Sequence, residues 1–590
     1  MNLSSTIKSI QDIMRKDDGV DGDAQRLGQL TWMLFLKVFD QREEEWEDDD
    51  PRYRSPLPER MRWRNWAAYV SGPDGKKKPQ IGASEIIPFV ETLFVALKAL
   101  DPSQSPRHRV IHSVFQDANN YMKSGTQLLA VIEKLEESID FHDFKTRANL
   151  GDVYEQLLND LRGAGNAGEF YTPRAITRFM ADRVDPRLDR RETVLDPACG
   201  TGGFLTAVID HLRTQLTTRS SAEDKRDIEE LIRGIEKKPL PHLLCTTNML
   251  LHGIDVPERI ERRNTLAHPW NEWSSTDRVD CVITNPPFGG YEDEGAGSDY
   301  PPDVRTRETA DMFMALIVKK LLREHGRAAV VLPDGFLFGE GIKNTIKEML
   351  LRECSLHTIV RLPRGVFAPY TTIKTNLLFF TKKPASGNGA DHFHTDTIWF
   401  YEHPYPPGYK SYSKTRPIRY EEFERERAWW GSEADGFADR VENEFAWKVD
   451  FKTRRQQAEA AARPHWARAV ALRNEISAVD SRIRDLRESV RGVADGSQRD
   501  AVQEEIVALA RQADGLRLQA RDAAATGDRL YWPIFNLDLK NPNAPEEEIH
   551  DPDVLLRRYK VLLGQIEETE NQLKSELAAA LAHHFAGEDA

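Results

Sequence analysis

Apolar residues fall into three textures along the chain. Near the start, Leu27, Leu30, Leu34 and Val38 recur at intervals of three and four, and Trp32, Met33, Phe35 and Phe39 widen the same face. That period is helical, so residues 1–150 are expected to form a helical domain. An acidic run, Glu43 to Asp50, leads into a stretch rich in Pro, Arg and Trp that ends at Trp66. The acidic run reads as solvated surface. Ser71 to Pro79 carries Gly, Pro, Asp and three lysines and reads as an exposed loop.

Residues 151–425 alternate short apolar runs with helical patterns. Strands are predicted over Thr193–Leu195, Val279–Thr284, Ala328–Leu332, His357–Leu362 and Thr375–Thr381. Helices are predicted between them, among others over Gly203–Thr217, Met312–Glu324 and Ile342–Arg352. Such alternation predicts an α/β, Rossmann-like domain on a mostly parallel sheet. Residues 426–590 are expected to be helical. Leu472, Ile476, Val479, Ile483, Leu486, Val490 and Val493 form a heptad seam, which Gly492, Asp495, Gly496 and Ser497 interrupt. Val502, Ile506, Leu509, Ala513 and Leu516 resume it, so an antiparallel helical hairpin is expected. A third seam contains Leu555, Tyr559, Leu562, Ile566, Leu573 and Leu577. Periodicity fits a self-contained bundle and a partner-docking arm equally.

Composition narrows the function classes. Of 590 residues, 40% are hydrophobic and 30% charged, which is a globular balance. Lys plus Arg is 81 and Asp plus Glu is 95, giving a net charge of −14. A protein binding nucleic acid alone is usually basic, so either no nucleic acid is bound or a basic partner shares the task. The four cysteines, Cys199, Cys245, Cys281 and Cys354, form no C-x-x-C pair. A zinc ribbon and a disulfide framework are not expected. No apolar run reaches the ~18 residues that span a bilayer, and the start lacks a signal-peptide pattern. A cytoplasmic protein without a membrane is expected.

Two constellations carry chemistry. In Val194-Leu195-Asp196-Pro197-Ala198-Cys199-Gly200-Thr201-Gly202-Gly203-Phe204, a strand runs through a Gly-rich turn into a helix. Glycines there let a ligand approach the backbone closely, and the helix start offers free amides. The spacing is neither a dinucleotide fingerprint nor a P-loop. In Asn285-Pro286-Pro287-Phe288, directly after a predicted strand, Asn supplies an amide and the prolines leave neighbouring carbonyls free to accept. Phe adds a flat apolar face. This set can grip a planar ring bearing an exocyclic amine, at the strand end where open α/β sheets bind ligands.

Asp-Pro-Ala-Cys-Gly-Thr-Gly-Gly-Phe followed, 89 positions after its Asp, by Asn-Pro-Pro-Phe resembles the amino-group DNA methyltransferases. More narrowly, the chain resembles the methylation (M) subunit of type I restriction–modification systems. Four stretches carry the narrower likeness: Gly168-Glu169-Phe170-Tyr171-Thr172-Pro173-Arg174; Gly234-Ile235-Glu236 with Asn248 to Gly253; the helix ending Phe35 to Asp40; and Asn536 to Pro542. The resemblance implies S-adenosylmethionine as cofactor and the N6 amine of a flipped-out adenine in double-stranded DNA as acceptor.

It also implies roles. Asn285, Pro286, Pro287 and Phe288 would form the catalytic motif, with the Asn285 oxygen and Pro286 carbonyl accepting the two amine hydrogens and Phe288 stacking on the ring. Glu169, Phe170, Tyr171, Thr172, Pro173 and Arg174 would line the cofactor, with Tyr171, Thr172 and Pro173 on its methionine side. Asp196, Gly200, Thr201, Gly202 and Gly203 would hold its amino acid and sulfonium region. Glu236, 40 positions after Asp196, would take its ribose hydroxyls. Asn264-Thr265-Leu266 stands where relatives often carry an acid toward the cofactor's adenine. Neither a metal nor a covalent nucleophile is implied, and Cys199 reads as structural. The acidic stretch 289–310 is expected to be a mobile loop that orders over the flipped base, and Phe367 and Tyr370 are candidates to line the target pocket.

The family's partners would be a specificity (S) subunit, a restriction (R) subunit and a second M copy on the DNA. At this stage a stand-alone or other phage-defence adenine methyltransferase, and a catalytically silent scaffold, also fit.

Overall fold

The computed structural model describes residues 3–71, 77–138, 171–217, 222–293, 295, 297–368, 370–385, 392–413, 415–491, 496–544 and 552–586. Glu169, Phe170 and Val493 lie outside them. Two units are present, residues 1–541 and 542–590.

The first unit opens with helices α1 (Leu3–Met14), α2 (Gly22–Asp49), α3 (Ile86–Lys98), α4 (Pro106–Phe115) and α5 (Gly125–Ser138). The α2 face read from the sequence is buried: Leu30, Trp32, Met33, Phe35, Val38 and Phe39 are almost wholly inaccessible. Removing such aromatics and aliphatics from water drives the packing. The acidic run is not solvated surface throughout, since Glu43 and Trp46 are buried, and the Pro- and Trp-rich stretch after it also packs inward. Trp63 and Trp66 are buried, and Arg64 folds back onto Asp40 and Glu47. The tryptophans carry more apolar area than the chain can leave in water.

Next comes the α/β part. Its strands are β1 (Val194–Asp196), β2 (Ile232–Glu236), β3 (Ile260–Arg262), β4 (Val279–Thr284), β5 (Leu322–Pro333), β6 (Cys354–Arg361), β7 (Thr375–Lys382), β8 (Thr397–Glu402) and β9 (Ala446–Asp450). They form one nine-stranded sheet in the order β9-β8-β6-β7-β5-β4-β1-β2-β3. Pairs β3-β2-β1-β4-β5 are parallel, β7 runs against both of its neighbours, and β9 runs against β8. The expected mostly parallel sheet is therefore present. Its last strand, β9, follows the boundary expected at residue 425. Helix α6 (Arg174–Val184) precedes β1; the helices between strands are α7 (Gly203–Thr214), α8 (Ala222–Leu231), α9 (Pro239–Leu251), α10 (Thr309–Leu316), α11 (Asp334–Phe338) and α12 (Ile342–Glu353), with α13 (Glu424–Trp429) between β8 and β9. Helix α9 lends Leu243, Leu244, Leu250 and Leu251 to the N-terminal core, which joins the helical and α/β parts.

One predicted helix is shorter than expected. The pattern over Met312–Glu324 stays apolar, but helical structure ends at Leu321 and β5 begins at Leu322. His325 takes a positive φ of 64° and Gly326 follows it, a turn that no helix continues through. Val279 pairs with Leu322 and Cys281 with Arg327, so this turn is absorbed as an irregularity in the sheet.

The long helices α14 (Phe451–Val490) and α15 (Gly496–Tyr531) form the expected antiparallel hairpin. Ile506, Ala513, Ala520 and Gly527 recur every seven residues, and all are buried. The seam ends where Trp466 lies on Gly527, so close that a Cβ there would fall 2.5 Å from the indole nitrogen. Trp466 donates to Asp528 at 3.0 Å, and Arg517 pairs with Asp480 at 2.9 Å. Tyr531, Ile534 and Phe535 then pack into the core on one face of the sheet. The second unit contains helix α16 (Pro552–Ala586), whose Tyr559, Leu562, Ile566, Leu573 and Leu577 are all more than half-exposed or close to it.

Candidate active site

Strands β1 and β4 are neighbours at the centre of the sheet, and the strand order runs outward from them in both directions. Loops leaving such a switch point at the carboxyl ends diverge and leave a crevice. Asp196 ends β1 and Asn285 follows β4, so both constellations open into that crevice. A side-chain bond closes the gap between the strands: the Thr284 hydroxyl donates to Asp196 at 2.7 Å. The Ala198 amide donates to the same carboxylate oxygen at 3.1 Å. Asp196 is 1% exposed. Burial pushes its carboxyl up to about 7 against the pull of those two hydrogen bonds, and the nearby Glu236 charge adds to the rise.

The Gly-rich turn is braced from two sides. Gly202, at φ 83°, caps α7, and a Cβ there would meet the Cys245 sulfur at 2.8 Å. Gly200, at φ 53°, faces open space instead. Its amide donates to Glu236 at 2.9 Å, and the Lys238 amide donates to the other Glu236 oxygen at 2.7 Å. The end of β2 thus meets the turn after β1. The first amides of α7 have no partner within the helix. Asn248, 1% exposed, donates to the Thr201 carbonyl at 3.1 Å, and its own oxygen is buried without a partner. Cys199 is buried with its sulfur 3.8 Å from that of Cys245. That contact, with burial, keeps the Cys199 thiol well above its usual range, which disables it as a nucleophile.

The Asn285 amide is held at one end only. Its nitrogen donates to the Thr172 hydroxyl at 2.9 Å, while its oxygen is buried with no hydrogen-bond partner. Thr172 lies 113 residues upstream, so the segment before α6 is brought onto the Asn-Pro-Pro-Phe loop. A buried carbonyl oxygen without a partner costs free energy unless a ligand donates to it. Farther along the loop, the Thr309 hydroxyl donates to the Pro287 carbonyl at 2.7 Å, and the Thr309 amide to the Gly290 carbonyl at 3.1 Å. Phe288 is 9% exposed, with the Phe367 ring 6.4 Å away and edge-on. Phe367 itself is buried, and Tyr370 is half-buried at the end of the same turn.

Not every expected residue converges on this crevice. Tyr171 packs partly against the N-terminal helical core. Arg174 is exposed and faces Asp210 at 3.5 Å. Pro173 caps α6 and sits half-buried beside Thr172. The acidic loop after Phe288 differs from the loose segment expected of it. Glu292 is 7% exposed and accepts from Lys237 at 3.0 Å and from the Asn264 amide at 3.0 Å. Asp299 accepts from the Trp270 amide, and Tyr300 is buried against the Trp270 ring. Charge pairing and aromatic burial anchor the loop at these points. Glu292 also brings a carboxylate to Asn264, where the local sequence offers none. Composition hid that, because the pairing spans 28 positions.

Residues 145–467 match the N-6 DNA methylase family, and residues 3–135 match the HsdM N-terminal domain. The methylase subunit of the type I restriction enzyme EcoEI from Escherichia coli is 47% identical over 99% of both chains. The StySPI methylase subunit from Salmonella potsdam is 29% identical over 72% of this chain and 75% of its own. A modification subunit from Vibrio vulnificus YJ016 superposes with a TM-score of 0.63 at 40% identity, over 76% of this chain and 92% of that one. A chain from a structure on complex assembly and conformational transition of the type I system gives 0.66 at 31% identity, over 97% and 98%.

Proposed function

The chain belongs to the N-6 DNA methylase family as a type I restriction–modification methylase subunit, an adenine-specific DNA methyltransferase, and on that premise we propose how its residues divide the work. The observation that carries the proposal is the Asn285 amide, fixed by Thr172 through its nitrogen and unpaired at its buried oxygen. In this reading that oxygen and the Pro286 carbonyl accept the two N6 hydrogens of an adenine swung out of the duplex. The face of Phe288 takes the ring. Two acceptors in fixed positions draw the amine lone pair out of conjugation and aim it, which is catalysis by orientation and preorganised dipoles. As the amine gains its methyl, its surplus proton leaves along one of these hydrogen bonds to solvent.

The crevice also fits S-adenosylmethionine. Gly200, with open space where a Cβ would stand, leaves a backbone cradle in the turn that follows the buried carboxyl of Asp196, and the Asn248 oxygen is buried without a partner. When bound, the cofactor supplies a methyl group made electrophilic by a cationic sulfur. Asp196 and the Gly200-Thr201-Gly202-Gly203 turn would hold its amino acid and sulfonium end. Glu236 would take the ribose hydroxyls, and Thr172, bonded to Asn285, would line the methionine side, with Tyr171 and Pro173 assigned beside it by resemblance alone. Glu169, Phe170 and Arg174 are assigned to the same wall by resemblance alone.

The wider assembly follows the same premise. We assign residues 1–150 to a helical domain, the sheet domain from 151 through its last strand at Asp450 to methyl transfer, and the helices from Phe451 onward to docking. The apolar row of α16 suits a helical S subunit. An R subunit, a second methylase copy, a role in phage defence and a cytoplasmic setting complete the proposal. No described helix is long and apolar enough to cross a membrane.

Methyl transfer from labelled S-adenosylmethionine to DNA, followed by nucleoside analysis, tests this reading. The protein alone is compared with the protein plus its S subunit. N6-methyladenine formed only with the S subunit is the expected result. Transfer to any other base, or none in either case, would overturn it.

A further inference from the structure

Beside Phe288 the surface changes sign. Residues 362–374 and 403–420 contain no Asp or Glu, although the chain average of 95 acids in 590 would place about five there. Arg364, Lys410, Arg416 and Arg419 are exposed, and none of the four makes an ion pair among the described residues. Cations at the base of the neighbouring strands and helices are paired: Arg361 with Asp538, Lys382 with Glu353, Lys343 with Asp311.

The two segments form one surface. Gly365 has φ 83°, and a Cβ there would fall 2.5 Å from the Ser411 hydroxyl and 2.6 Å from the Tyr412 carbonyl. The Tyr405 hydroxyl donates to the Arg364 carbonyl at 2.9 Å. The Tyr405 and Tyr409 rings flank Tyr412 at 5.5 and 5.9 Å, and the Arg416 guanidinium stands 5.8 Å over Tyr409. The root is rigid. His403 and Glu426, both wholly buried, are bonded at 2.5 Å, and the Tyr412 hydroxyl lies between His403 and Glu422. The surface starts at the target pocket, because Phe367 belongs to the first segment and faces Phe288.

We propose that Arg364, Lys410, Arg416 and Arg419, with Tyr405 and Tyr409, form the track that holds the phosphates flanking the flipped adenine. This rests on the function proposed above. A flipped nucleotide stays joined to a phosphate on each side, so the rim of its pocket must meet two anions. Unpaired cations interleaved with aromatic faces are what such a strand requires. In a chain of net charge −14, four exposed cations without an ion pair among the described residues on this rim are the local answer to the global repulsion.

The test is DNA binding by the assembled methylase–S complex across a salt series, with the four cations changed together (Arg364→Gln, Lys410→Gln, Arg416→Gln, Arg419→Gln) and with Lys410→Gln and Arg416→Gln singly. Each lost phosphate contact should lower the slope of log K against log salt by about 0.9. The fourfold variant is expected to bind at least tenfold more weakly at 0.1 M salt, with a slope lower by about two or more. Affinity for S-adenosylmethionine and assembly with the S subunit should stay within twofold. If the fourfold chain fails to assemble, the two exposed single changes decide, each expected to lower the slope by about 0.9. Unchanged affinity and slope would overturn the proposal. So would lost assembly in the single variants with an unchanged DNA slope, since the surface would then meet protein. Failure of the functional reading is separate: the wild-type complex would bind DNA with the predicted slope yet form no N6-methyladenine.

Discussion

Replacing Thr309 by Val removes one hydroxyl and keeps the shape of the side chain. Thr309 is 4% exposed, and its hydroxyl donates to the Pro287 carbonyl at 2.7 Å. Its amide bond to Gly290 does not depend on the side chain. Thr309→Val therefore leaves the half-buried Pro287 carbonyl without its donor, a loss of about 1–3 kcal/mol. A methyl group also cannot stay 2.7 Å from an oxygen, so the loop must retreat by about half an ångström. Displacements of about 1 Å at a reacting centre cost on the order of a hundredfold in rate. We expect the methyl-transfer rate to fall about tenfold, which is about 1.4 kcal/mol. S-adenosylmethionine affinity should not change, because Thr309 touches none of the residues assigned to the cofactor. Single-turnover transfer of labelled methyl by the complex reads the rate, and Thr309→Ser should restore it. A Val variant at the wild-type rate, or a Ser variant as slow as Val, would refute the positioning role.

Further outcomes follow from the same geometry. Gly202→Ala should weaken S-adenosylmethionine binding at least tenfold by calorimetry, because the added Cβ meets Cys245 and the backbone sits at φ 83°. Adding Cys245→Ala should recover only the steric part. Asp196 holds its proton to about pH 7 in the folded chain, against an ordinary value of 3.8, so the native state binds more protons than the unfolded one between these limits. Its contribution to stability is therefore greatest below pH 4 and is lost as pH rises toward 7. A cationic ligand beside it favours the carboxylate, so cofactor affinity should rise about tenfold between pH 6 and 8 with release of a proton. Calorimetry in two buffers of different ionisation enthalpy checks this; flat affinity without proton release would contradict it. A chain ending at Asn541 should keep its melting temperature within about 2 °C, since the cut falls between the two units, and should fail to assemble with the S subunit on a sizing column.

The sequence is most legible where local pattern and burial agree. The central strands, the α2 face and the heptad hairpin each have a period that one buried side enforces. The edge strand Ala446–Asp450 and its neighbour Thr397–Glu402 escaped because short mixed runs acquire meaning only from a neighbouring strand. The end of the helix at Leu321 escaped because apolar spacing continues through it, and the break is the turn to extended backbone at Leu322, φ −93° and ψ 131°. Within the site, the Gly-rich turn and Asn-Pro-Pro-Phe stand out as contiguous motifs. Thr172, Thr309 and Glu292 act across 22 to 113 positions, and no local pattern marks a hydroxyl or carboxylate that a fold brings to a loop. The antiparallel placement of β7 between β5 and β6 is likewise a property of the sheet.

The central claim is that the buried Asn285 oxygen receives the target amine. The most direct test is single-turnover methyl transfer by the assembled complex carrying Asn285→Ala, with DNA and S-adenosylmethionine affinities measured in parallel. The account predicts a rate at least a hundredfold lower, about 2.7 kcal/mol of transition-state stabilisation, with both affinities within a fewfold of wild type. Transfer at the wild-type rate would place the amine acceptor elsewhere and contradict the account.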